Sequence, residues 1–139
     1  MKALYSLVLA LGVIVALQAC KKNDNTPTPG DITNQNLLKA WKVSQVLEGS
    51  LDVTSAFSQY RLTLEETNGS KTFTLVKRDG TSLTGSWDIS TDETTITLTA
   101  TGNTITLSSV SISDSELKYT AEEQGKAGTV NVNFILIPA

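Results

Sequence analysis

The sequence predicts an all-β domain, an eight-stranded antiparallel up-and-down β-barrel, and three observations lead there. From Trp41 to Leu136, apolar residues recur at every second position in short runs, the period of strands with one dry face. Turn residues such as Asn68-Gly69 and Asp79-Gly80 separate those runs at hairpin length. No helical period intervenes that could carry a crossover, so antiparallel pairing is expected throughout. Eight such strands can close on themselves and remove both sheet edges. A two-sheet β-sandwich is the alternative with a similar strand count.

The domain does not begin at the first residue of the 139-residue chain. Met1-Lys2 is a short basic start, and residues 4–17 (LYSLVLALGVIVAL) are almost wholly apolar. That run is short for a transmembrane span and has the form of a secretory signal. Residues 1–19 are therefore expected to be a signal peptide. Residues 21–30 (KKNDNTPTPG) carry two spaced prolines and no apolar side chain, so with Cys20 they form a flexible tether. Residues 31–139 make the barrel domain.

Within the domain, 31–40 (DITNQNLLKA) reads as a short helical turn. Asp31, Thr33 and Asn34 are candidate caps, and Leu37 and Leu38 are expected to fold underneath as a plug. Trp41 opens the first strand, with Trp41, Val43 and Leu47 on one face and Gln45 as the polar exception. Residues 49–58 (GSLDVTSAFS) form the longest break in the alternation and are expected to be a mobile loop. The second strand sends Tyr60, Leu62 and Leu64 inward and Arg61, Thr63 and Glu65 outward. After Asn68-Gly69, the third puts Phe73 and Leu75 inside.

Leu83, Gly85, Trp87 and Ile89 line the fourth strand, where Gly85 is expected to make room for an indole across the barrel. Ile96 and Leu98 line the fifth. The sixth carries Ile105 and Leu107, then Val110 and Ile112, and this change of parity at Ser108-Ser109 predicts a β-bulge. Leu117, Tyr119 and Ala121 line the seventh strand. Val130, Val132, Phe134 and Leu136 line the eighth, which Pro138 ends. The outward positions are mostly Thr, Ser, Lys and Asp, which excludes a membrane-spanning barrel with an apolar outer face.

Composition removes several chemistries. The chain has no histidine and one cysteine, Cys20. Thiol or histidine metal sites, Cys/His nucleophile pairs and disulfides are excluded from the domain. Without Lys2, ten basic residues stand against fourteen acidic ones, well mixed, so nucleic acid is not an expected partner. The doublets Glu65-Glu66, Asp92-Glu93 and Glu122-Glu123 put their carboxylates on opposite faces of a strand, so they read as solvated surface. No Ser-x-x-Lys motif accompanies the many serines, so no enzyme activity, cofactor or metal is expected.

Leu17-Gln18-Ala19-Cys20 resembles the bacterial lipobox. The resemblance implies that Cys20 is diacylglycerated, becomes the first mature residue and is acylated on its amine. Such a set of chains anchors stably, each buried methylene contributing about 0.8 kcal/mol. Lys21 and Lys22 would then either meet headgroups or belong to a plain solvated spacer. Lys21 also stands where an aspartate would mark inner-membrane retention, so the resemblance implies the outer membrane, with either face open.

With the run Leu37-Leu38-Lys39-Ala40-Trp41-Lys42-Val43 and the later Gly85-Ser86-Trp87, the chain resembles lipocalin-like domains of small Gram-negative lipoproteins over about residues 31–138. In lipocalins a Gly-x-Trp on the first strand closes the barrel floor under a late arginine. Trp41 matches that tryptophan, Lys39 holds the glycine position, and no arginine follows Arg78.

The resemblance implies a barrel with room for a ligand. Trp41, Phe57, Tyr60, Phe73, Trp87, Tyr119 and Phe134 are the candidate lining for a small apolar or amphipathic molecule, with 49–58 gating the mouth. The alternative is that these rings fill the barrel and that the protein is a structural module contacting an envelope protein or glycan.

Overall fold

The computed structural model describes residues 35–139. The signal segment, Cys20, the tether and the caps Asp31, Thr33 and Asn34 lie outside those residues. A helical turn over 35–37 leads into β1 (Ala40–Glu48), β2 (Leu51–Asp52), a 3-10 turn (Thr54–Phe57) and β3 (Arg61–Thr67). Then come β4 (Ser70–Val76), β5 (Ser82–Ile89), β6 (Ile96–Ala100), β7 (Asn103–Ile112), β8 (Leu117–Gly125) and β9 (Gly128–Pro138).

All pairings are antiparallel and follow chain order from β3 to β9, and β1 closes the sheet by pairing with both β3 and β9. Eight staves therefore form one closed up-and-down barrel, and β2 is a two-residue spur on β1. A sheet closed on itself excludes the sandwich. Hairpins close it as their residues dictate: Asn68 and Gly69 both take positive φ, 51° and 77°, the mark of a type I′ turn. At Asp79-Gly80 the loop is one residue longer. The Lys77 amide bonds the Thr81 carbonyl, and Asp79 Oδ1 accepts from the Thr81 amide at 2.9 Å.

Alternation delivers the core. Leu62, Leu64, Phe73, Leu75, Ile96, Leu98, Leu107, Leu117 and Leu136 are buried inside the barrel as their parity requires. Parity breaks at two places. The predicted bulge appears between Ser108 and Ser111, with Ser109 at φ 51°. A second bulge, between Val43 and Gln45, corrects the expected face of β1. Below it Trp41 points inward; above it Val46, not Leu47, is buried, and Gln45 needs no exception because it no longer shares the inner face.

The floor is built as the sequence implies. Leu37 is fully buried, and its carbonyl accepts the Trp41 indole N–H at 3.1 Å. Lys39 Nζ stands 5.1 Å from the Trp41 ring centroid and donates to the Asp114 carbonyl at 2.9 Å. Lys39 thus supplies a cation over the floor tryptophan.

Two expectations are corrected by packing. Residues 49–58 are not a loose loop. The Val53 amide bonds the Val46 carbonyl, the Thr54 hydroxyl accepts from the Val46 amide, and Asp52 accepts from the Thr54 amide. Phe57, only 2% exposed, is driven into the barrel mouth. The segment is a hydrogen-bonded cap. Gly85 makes room not for an indole but for backbone: a Cβ there would strike the Thr99 carbonyl and lie 3.0 Å from Ala100 Cα. The sheet bends so sharply at this corner that β6 passes over the bare glycine, while Phe73 faces it across the β4–β5 ladder.

Because the clash at Gly85 is with backbone rather than a flexible side chain, Gly85→Ala is expected to cost about 2 kcal/mol or more. Thermal melting should then fall by about 10 °C. An unchanged Tm would contradict the corner described here.

Candidate functional site

The β7–β8 ladder is incomplete. It pairs Ser108 with Thr120, Ser111 with Lys118 and Ile112 with Leu117, and stops there. Beyond Ser108, residues 103–107 of β7 pair only with β6; beyond Thr120, residues 121–125 of β8 pair only with β9. The bulge interrupts the ladder between Ser108 and Ser111 as well. With Ser109 in the left-handed region, the Val110 amide turns away to bond the Thr94 carbonyl at 2.9 Å, outside the β7–β8 ladder.

A half-open pocket of about 570 Å³ occupies this seam. Tyr60, Leu75, Ile105 and Ala121 form its apolar wall. Lys77, Glu122 and Glu123 bring charge to it, and amides and hydroxyls such as Asn103, Thr106 and Asn131 surround them. A smaller space of about 80 Å³ lies under the cap, against Val53, Phe57, Arg78 and Val132, and shares Glu123 and Gln124 with the larger pocket.

Behind the wall, the aromatic rings fill the upper barrel. Phe134 is the hub: it stacks on Tyr60 at 4.8 Å and on Tyr119 at 5.1 Å, and meets Phe57 edge-on at 5.2 Å. Arg78 covers the outer side of Phe57 at 5.6 Å and donates to the Gln124 carbonyl at 2.6 Å. The Tyr60 and Tyr119 hydroxyls share one hydrogen bond of 2.8 Å. Burial pushes both phenols well above their ordinary range, so both stay protonated.

Glu123 is half-buried, and desolvation raises its carboxyl above the usual carboxylate value. Arg78 and Lys77 partly offset this, while Asp79 adds to it. Asp52 and Asp79 behave oppositely. Hydrogen bonds from Thr54 and Thr81, respectively, hold these exposed carboxylates below their usual value.

Of the predicted lining residues, only Tyr60 borders the larger pocket, and Phe57 borders the smaller. Trp41, Phe73, Trp87, Tyr119 and Phe134 are buried in side-chain packing. Trp87 is further held by its indole N–H donating to the Glu65 carbonyl at 3.0 Å, with Lys71 Nζ 5.0 Å over the ring. Sequence reasoning missed Lys77, Ile105 and Glu123 as site residues. Glu123 was within reach: it follows Leu117, Tyr119 and Ala121 at the same parity and so faces inward. The doublet Glu122-Glu123 is therefore not wholly solvated surface, because one carboxylate turns toward the tyrosines.

No family model matches the chain, and no curated protein does. Among solved structures the chain is similar to a lipocalin-like protein from Bacteroides uniformis. The two are 14% identical with a TM-score of 0.47, and the match covers 75% of this chain and 99% of that one.

The Glu123 environment has a measurable sign. An acid whose folded-state value is raised binds its proton more tightly in the native state, so its contribution to stability grows as pH falls and is lost as pH rises through that value. Glu123→Gln should therefore raise Tm at pH 7.5, and the gain should shrink at pH 4. Melts of the two proteins across that range check it; a loss of stability at pH 7.5 would show that the Arg78 and Lys77 attractions dominate.

Proposed function

We propose that this chain is a lipid-anchored cell-envelope protein, held at the outer membrane through Cys20, whose lipocalin-like barrel binds a small amphipathic molecule at the β7–β8 seam. One observation carries the binding reading. The 570 Å³ seam pocket runs from solvent to the buried wall of Tyr60 and Leu75. That volume lies within the ordinary range of small-molecule sites. Its lining joins an apolar wall to a polar rim, so an amphipathic guest fits better than a purely apolar one. The barrel centre is occupied by protein rings, which moves the binding site from the axis to the wall.

The anchor reading rests on the lipobox resemblance at Cys20 and on the polar tether behind it. The described chain enters at the floor, beside Leu37 and the 112–117 turn, whereas the pocket lies toward the opposite end, by the 100–103 and 125–128 turns.

Two measurements test the halves separately. Cys20→Ser should move the protein from the membrane fraction to the soluble or unprocessed pool and remove the acyl mass; a variant that still carries acyl chains would end the anchor reading. Native mass spectrometry of the protein taken from its cells should show a small bound molecule, and Ile105→Trp, which fills the pocket, should reduce occupancy at least tenfold. Equal occupancy in that variant would place the ligand elsewhere.

A further inference from the structure

The hydroxyls of Tyr60 and Tyr119 carry two hydrogens between them, yet they share a single hydrogen bond. Neither has another hydrogen-bond partner among the described residues. One buried phenolic hydrogen is therefore left over, and both tyrosines are only 2% exposed. An unsatisfied buried donor costs about 1–3 kcal/mol. Only Tyr60 borders the pocket. The arrangement that leaves nothing stranded has Tyr119 donating to Tyr60, with the Tyr60 hydrogen directed into the seam.

Beside that donor, the pocket offers Glu123 as an acceptor and Lys77 as a second donor. Glu122 and Glu123 outnumber Lys77 in the lining, so an anionic head meets net repulsion. A quaternary cation is not repelled by that lining, but it offers no acceptor for the Tyr60 hydrogen and no donor for Glu123. A hydroxyl group both accepts and donates, so it satisfies Tyr60 and Glu123 together. Leu75, Ile105 and Ala121 supply the apolar contact for an attached chain.

Resting on the binding reading above, we propose that the β7–β8 seam selects amphiphiles with a neutral, hydroxyl-bearing head, that Tyr60 donates to that head, and that Glu122 and Glu123 reject anions.

The test uses the acylated mature protein in lipid nanodiscs and four soluble probes: hexyl β-glucoside, hexanesulfonate, hexyltrimethylammonium and methyl β-glucoside. Methyl resonances of Leu75, Ile105 and Ala121 report occupancy. Hexyl β-glucoside should bind at least tenfold more tightly than either charged probe. Methyl β-glucoside, with the same head but almost no chain, should also bind at least tenfold more weakly. Anion or cation binding equal to that of the glucoside overturns the selectivity, and equal binding of methyl β-glucoside makes this a sugar site rather than an amphiphile site.

Tyr60→Phe should weaken hexyl β-glucoside about five- to tenfold. Tyr119→Phe keeps the Tyr60 hydrogen and should leave affinity within about threefold. Equal losses in the two variants would reduce the pair to packing and overturn the Tyr60 assignment. Glu123→Gln should strengthen hexanesulfonate relative to wild type, and no gain overturns the role of that carboxylate. If no probe moves the three methyl signals at millimolar concentration, the binding reading itself fails, an outcome distinct from binding with the wrong charge preference.

Discussion

The barrel depends on one strand meeting three partners. β1 pairs with β3 only through Ala40–Lys42, with β9 from Trp41 to Leu47, and with β2 at its upper end. No straight strand can do this in a barrel this small. The bulge between Val43 and Gln45 lets β1 swing from one neighbour to the next while each half keeps an apolar residue inside. The consequence is a gap beside β3 above Lys42. Residues 51–58 fill it, and Phe57 is the part that enters the barrel. What resembles a surface loop in the sequence is thus a packed part of the barrel mouth.

Filling that gap decides where empty space can remain. Phe57, Tyr60, Tyr119 and Phe134 are packed ring against ring at 4.8–6.1 Å and occupy the upper axis of the barrel. Such pairs are worth about 0.5–1.5 kcal/mol each beyond the area they bury, so opening the axis for a guest would be costly. The seam carries no comparable cost. There β7 and β8 no longer pair beyond Ser108 and Thr120, and the lining is held by β6 and β9 from behind. The same barrel therefore has a rigid, closed axis and an accessible wall.

Strand order, hairpin turns and the inward set were legible because they depend on period two and on glycine or asparagine in turns, both local properties. The Ser108-Ser109 bulge was legible for the same reason: the apolar parity shifts on either side of it. The bulge in β1 was hidden because its signature, Gln45, sits where Val43 and Leu47 still appear to continue the pattern. Only Val46 betrays the shift. The role of Gly85 was misread because the atom that needs the space is a backbone oxygen of β6, and the sequence does not print backbone approach. Likewise the seam is an absence of pairing between two good strands, and no residue type marks such an absence.

The site combines these two kinds of information. Parity along β8 alone places Glu123 on the inner face, two residues past Ala121. What gives it significance is long-range: Arg78 arrives from the β4–β5 loop, Tyr60 from the end of the cap, and Tyr119 from below on the same strand. A carboxylate on an inner face is normally a destabilising choice, since desolvation opposes its charge. Here it stands where the ladder is already open and water reaches it from the side. The open ladder therefore lowers the cost of an acid on this inner face. With a continuous β7–β8 ladder, Glu123 would face a dry interior, and leucine or valine would be the better residue at that position.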